Sequence, residues 1–126
     1  MHETDEKGGG FGALLGLHND EMDNGRSRVV LHAEDRHLNR HGTVHGGVIA
    51  SLCDSAMGAA VVSAGDETTA PVTIELKVTY LEPAAPGDVT ATALVRKRGK
   101  RITVVEAEVS QGDDVVALAL GTFTSG

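Results

Sequence analysis

The chain has 126 residues, 40% hydrophobic and 23% charged, which suits one globular domain with enough material for a core. Its net charge of -7 works against binding to nucleic acid or to an anionic membrane. The single cysteine, Cys53, forms no internal disulfide, which points to a reducing, cytoplasmic setting.

Residues 1–10, MHETDEKGGG, are acidic and glycine-rich with no apolar stretch. They read as a disordered lead rather than a secretory signal, ahead of a single domain over residues 11–126. The next segment, Phe11 to Leu17, is apolar but too short to separate a helical turn from a strand. Asp23-Asn24-Gly25 then signals a type I′ hairpin joining strands around Leu17–Met22 and Arg26–Ala33. Glu34 to Thr43 reads as a polar loop.

From Gly46 to Gly65 only one of twenty residues is charged, a length and composition compatible with a membrane span. Seven of the twenty are Gly or Ser, Asp54 lies near the centre, and no basic flank sets an orientation. A soluble helix is the better reading. Apolar residues spread round most of its wheel, so it should be buried.

Beyond the helix the period becomes two. Val72 to Leu81 alternates, placing Val72, Ile74, Leu76, Val78 and Tyr80 on one face and Thr73, Glu75, Lys77 and Thr79 on the other. Three more strands follow, at Asp88–Lys97, Arg101–Ser110 and Val115–Thr124, separated by short turns. The class is therefore α+β: a curved antiparallel sheet of about six strands wrapped round one long helix. One concave sheet face cannot cover a helix that is apolar on all sides. A second copy of the chain would supply the missing cover.

The chemistry concentrates at the start of the helix. A helix N-terminus presents unpaired N–H groups with partial positive charge, and Gly46 and Gly47 leave them open to a carbonyl oxygen or an anion. Two glycines also suit a tight loop-to-helix turn. Asp54 is costly in an apolar helix unless it is paired, hydrogen-bonded or functional. Asn39 and His45 can place hydrogen bonds near the helix mouth. His32, His37, His41 and His45 lie close in sequence but complete no recognisable metal-ligand pattern, so no metal is expected. Arg96, Lys97, Arg98, Lys100 and Arg101 gather five of the eleven basic residues into one turn, either a solvated hairpin or a patch for phosphates.

The run NRHGTVHGGVIASLCD, with VTIELKVTYLEPA and RKRGKR, resembles the hotdog-fold acyl-CoA thioesterases, most closely their PaaI-like group. The similarity extends from about Leu14 to Thr124. It implies a hotdog fold and hydrolysis of aryl- or medium-chain acyl-CoA, with coenzyme A as part of the substrate and no separate cofactor. By position, Gly46 resembles the residue whose amide binds the thioester carbonyl, with Asn39 and His45 beside it. Asp54 matches the catalytic carboxylate, as general base or nucleophile, and Thr73 the hydroxyl residue next to it. The resemblance also implies a homodimer with sites shared between subunits, pairing further into a tetramer. An acyl-CoA-binding sensor, or a dehydratase or hydratase using His45 with Asp54, are the alternatives on the same fold.

Overall fold

A computed structural model describes residues 10–126; the expected lead falls outside them except for Gly10, which opens a short helix. The order is α1 (Gly10–Leu15), β1 (His18–Asp23), β2 (Arg26–Ala33), α2 (Gly46–Ala64), β3 (Thr73–Tyr80), β4 (Gly87–Arg98), β5 (Ile102–Gln111) and β6 (Asp114–Thr124). The segment that composition left undecided is thus helical. Arg36 and His37 donate to the Leu14 and Leu15 carbonyls at its C-terminal end, where the Arg36 cation is favoured.

All six strands form one antiparallel sheet in the order β1-β2-β4-β5-β6-β3. The β1–β2 turn has positive φ at both central residues, Asn24 (49°) and Gly25 (81°), as a type I′ turn requires. After β2 the chain runs through α2 and re-enters at the far edge as β3, so β4 returns beside β2. The loop before α2 is more ordered than the sequence suggested. It contains a 3-10 turn, Asp35–His37, and a bridge from Leu38 to Val44. His37 anchors it: the buried ring accepts from the Glu34 N–H and donates through Nε2 to Leu15.

The core is aliphatic, as a chain without Trp must make it. Leu52, Met57 and Val61 of α2 are fully buried with Leu31, Val89, Val105 and Val109 of the sheet. Each such side chain contributes about 1.5–3 kcal/mol by leaving water. Helix and sheet approach closely at Gly121, where an added Cβ would lie 2.7 Å from the Met57 sulfur. Ser27 ties the layers together by donating from its hydroxyl to the Ala56 carbonyl.

Two expectations meet the structure here: the helix keeps one face short of cover, as a single sheet must leave it, and the even alternation of β3 is corrected. First, α2 is buried on one face only: Ile49, Leu52, Cys53, Ala56, Met57, Ala60 and Val61 meet the sheet. The opposite face, with Ser51, Asp54, Ser55, Gly58, Ala59 and Val62, stays half-buried because one sheet covers one side of a cylinder. Second, β3 does not alternate evenly. A bulge between Thr73 and Glu75 shifts the register against β6 and leaves Ile74 unpaired and 55% exposed. Thr73 therefore falls opposite buried Phe123, on the same side as Leu76, Val78 and Tyr80.

Candidate active site

The loop into α2 is fixed before the helix begins. The Val44 N–H donates to the Ala84 carbonyl and the His45 N–H to the His37 carbonyl, each at 2.8 Å. The Asn39 carboxamide holds the loop's curve. Its oxygen accepts from the His41 and Thr43 N–H groups at 2.9 and 3.2 Å, and its nitrogen donates to the Thr43 hydroxyl at 2.9 Å. One Nδ2 hydrogen of Asn39 remains to be offered elsewhere.

His45 is the N-cap of α2. Its Nδ1 accepts from the Gly47 N–H at 2.8 Å, which assigns the ring proton to Nε2 by the hydrogen-bond network. The two glycines thereby differ. The Gly47 N–H is taken by His45, whereas the Gly46 N–H has no acceptor among the described residues. Beside it opens a largely apolar pocket of about 320 Å³, lined by Val44, Ile49, Tyr80, Leu81 and Val116 among others. The Tyr80 hydroxyl reaches across this mouth and donates to the Gly46 carbonyl at 2.6 Å.

Asp54 lies two turns further along α2 on the half-buried face. The Thr73 hydroxyl donates to its Oδ1 at 2.7 Å, a bond made possible by the bulge in β3. Its other oxygen has no hydrogen-bond partner among the described residues. Next to it, burial, reinforced by the Asp54 charge, pushes the Cys53 thiol up to about 12. Cys53 is therefore a neutral thiol at physiological pH and no nucleophile. Eight residues separate Gly46 from Asp54, about 12 Å along the helix axis.

The structure thus gathers His45, Gly46 and Gly47 at the start of α2, keeps Asn39 in the loop that leads there, and sets Asp54 with Thr73 in another place. The basic residues occupy a third. Arg96, Lys97 and Arg98 end β4, and Lys100 and Arg101 complete the turn into β5, all exposed. Among the described residues only Arg96 of these has a carboxylate within ion-pair distance, Glu106 at 3.7 Å. This hairpin sits at the C-terminal end of α2. Val95 donates to the Gly25 carbonyl, and the Gly25 N–H donates to Ser63 in the last turn of the helix. Just past that turn, the Thr68 hydroxyl and N–H, aided by Arg98, hold the Asp66 carboxyl below its usual range. The histidines are dispersed: His32 pairs with Asp88 at 2.8 Å, His37 is buried and His45 caps α2. Among the described residues no three metal-ligating side chains converge.

Sequence reasoning missed Tyr80 as a member of this site. Its alternation marked it only as part of an apolar face. The one usable signal was that the sole tyrosine ends the strand that also carries Thr73.

Comparison with known proteins places the chain in a family. Residues 41–118 match the Thioesterase superfamily. The acyl-coenzyme A thioesterase PaaI of Escherichia coli is 38% identical over 109 residues, covering 85% of this chain and 76% of that protein. Human acyl-coenzyme A thioesterase 13 is 32% identical over 102 residues, covering 79% and 71% respectively. Among solved structures, the conserved protein PA5202 of Pseudomonas aeruginosa superposes with a TM-score of 0.89 at 39% identity, covering 92% of this chain and 93% of that one. The chain belongs to the thioesterase superfamily, carries its hotdog fold, and stands there with the PaaI-type acyl-CoA thioesterases.

Proposed function

We propose that the protein hydrolyses aryl- or medium-chain acyl-CoA thioesters as a homodimer with two shared sites. Asn39, His45 and Gly46 come from one subunit, and Asp54 with Thr73 from its partner. The observation that carries this reading is the separation of Gly46 from Asp54 along a single helix. A carboxylate does not reach across about 12 Å to a carbonyl held at the helix N-terminus. Two antiparallel α2 helices, packed through their half-buried faces, close that gap. The exposed apolar residues Val72, Ile74, Tyr80 and Leu81 at the β3 edge favour the same pairing. Exposed Leu118 and Leu120 on the outer face of β6 suit a further pairing of dimers into a tetramer.

In this mechanism the Gly46 N–H and the His45 Nε2–H donate to the thioester oxygen as it gains negative charge. Asp54 takes a proton from water, whose oxygen attacks the carbonyl carbon. The C–S bond then breaks and the CoA thiolate leaves, acquiring the proton. A thiol has a pKa of about 8.5, so its departure needs little help from an acid. Direct attack by Asp54, forming an anhydride that water then hydrolyses, is the second route. Thr73 holds the carboxylate in orientation in either case. No metal or separate cofactor is required.

The basic hairpin fits the nucleotide end of the substrate. Beyond Asp54, α2 runs ten more residues to Ala64, about 15 Å. The Asp54 subunit's own Arg96–Arg101 hairpin thus lies well beyond the reacting carbonyl, where the phosphates at the far end of CoA can meet it. The enzyme would act in the cytoplasm.

Asp54→Asn should lower kcat at least about a hundredfold, the scale of losing a general base, with KM little changed. The measurement is release of CoA thiol from a panel of acyl-CoAs. Near-normal turnover by this variant would remove Asp54 from the mechanism. Absence of thiol release by the parent chain would instead favour a sensor, and an altered acyl chain on intact CoA a dehydratase.

A further inference from the structure

The Gly46–Gly47 peptide unit is held at both of its polar ends. Its carbonyl accepts from the Tyr80 hydroxyl at 2.6 Å, and its N–H donates to His45 Nδ1 at 2.8 Å. Two successive glycines are otherwise the loosest joint a backbone can have. The joint lies immediately after the one N–H of the first turn, that of Gly46, that no described residue takes. Rotation of the Gly46–Gly47 unit turns ψ of Gly46 and φ of Gly47, and ψ of Gly46 sets where the Gly46 N–H lies relative to the held carbonyl.

We propose that Tyr80 is a positioning residue of the reaction: it acts through the Gly46 carbonyl to hold the Gly46 N–H in line with the developing oxyanion. The inference rests on the thioesterase reading above. Tyr80 is suited to this role by its place in β3, the strand that also presents Thr73. One strand therefore orients both halves of the chemistry, Asp54 through Thr73 and Gly46 through Tyr80. The ring lies against Gly46, where an added Cβ would be 3.4 Å from the hydroxyl and 3.5 Å from Cζ. Partial burial raises the Tyr80 pKa, aided by Cys53, so the hydroxyl remains a donor at physiological pH. Position 47 is constrained from the other side. A Cβ there would lie 3.1 Å from His45 Nδ1, tight enough to displace the ring.

Tyr80→Phe isolates the hydrogen bond, because it keeps the ring against Gly46 and removes one oxygen. Oriented oxyanion donors act mainly in the transition state, so kcat should fall about tenfold with KM changed by less than about twofold. Amide hydrogen exchange supplies a readout independent of turnover. The Gly47 N–H should exchange about fivefold faster in the variant, while the Leu52 and Ala56 core amides keep their protection. Parental kcat, or a raised KM at unchanged kcat, would overturn the positioning role and leave Tyr80 as a pocket wall. Unchanged exchange at Gly47 would overturn the clamp itself. Loss of protection at Leu52 and Ala56 would show that the oxygen serves the whole fold, which also contradicts the proposal. If the parent chain releases no CoA, the thioesterase reading fails first, and Gly47 exchange still decides whether Tyr80 holds the peptide.

Discussion

The two edges of the sheet are built differently. β1, HNDEMD, is six residues long, carries three carboxylates and one apolar side chain, and kinks at a bulge between Asn19 and Glu21. Both edges are bulged, so the contrast lies in length and charge: short, charged edges are how sheets avoid pairing with other chains. β3, TIELKVTY, is longer, and Ile74 and Tyr80 on it are about half exposed. It also carries the two side chains that touch the candidate site, Thr73 on Asp54 and Tyr80 on Gly46. The edge left open to pairing is the edge that holds the chemistry. In the proposed dimer this coincidence would link assembly to activity more directly than the half-buried face of α2 does alone.

The contrast can be broken by placing the same charge on each edge. Ile74→Glu puts a carboxylate on the open edge at a position 55% exposed, so the single chain should still fold. Light scattering coupled to size exclusion should find it monomeric at micromolar concentration, with thioesterase activity near background. Met22→Glu, at a 40% exposed position on β1, should leave both mass and activity as they were. A dimeric, active Ile74→Glu protein would detach the site from this edge.

A smaller effect is expected at the basic hairpin, far from either carbonyl or carboxylate. Replacing Arg98 and Lys100 with Ala should raise KM for acyl-CoA about tenfold and flatten its dependence on ionic strength, leaving kcat nearly unchanged. A short thioester without the nucleotide should be hydrolysed as before. Equal losses on both substrates would mean that the hairpin does not bind phosphate.

Smallest of all is Gly47→Ala. Its new methyl would press on His45 Nδ1 and Cε1, at 3.1 and 3.3 Å, and loosen the cap of α2. We expect kcat to fall about threefold, the scale of a weakened rather than a lost hydrogen bond, with Tm within a few degrees. An unaltered kcat would mean that the His45–Gly47 contact is merely structural.

Much of this arrangement could be read in the sequence, for identifiable reasons. The change from helical to two-residue period located α2 and the strands after it, and Asn24-Gly25 located the first hairpin through its φ requirements. The Asp54 anomaly followed from patterning alone. The bulge at Ile74 did not, because alternation counts residues evenly and β3 would then turn Thr73 away from the helix. Only the family resemblance placed Thr73 near Asp54, against the strand's apparent phase; the inserted residue reconciles the two. The order within Glu34–Thr43 was also hidden, since it depends on His37 bonding to Leu15, a contact between distant segments. Likewise, the charge cluster at Arg96–Arg101 was plain, but its place at the far end of α2 arises from the pairing of β4 with β2.

The shared site is tested most directly by mixing two inactive subunits that fail on opposite sides of it. His45→Ala removes the cap and the Nε2–H donor from one half; Asp54→Asn removes the base from the other. If the halves come from different chains, each mixed dimer contains one doubly damaged site and one intact site. Random pairing after joint unfolding and refolding makes about half the dimers mixed, so activity should return to roughly a quarter of the parental value. Mixed dimers verified by mass, with no more activity than either variant alone, would place each site within a single chain and contradict the shared mechanism.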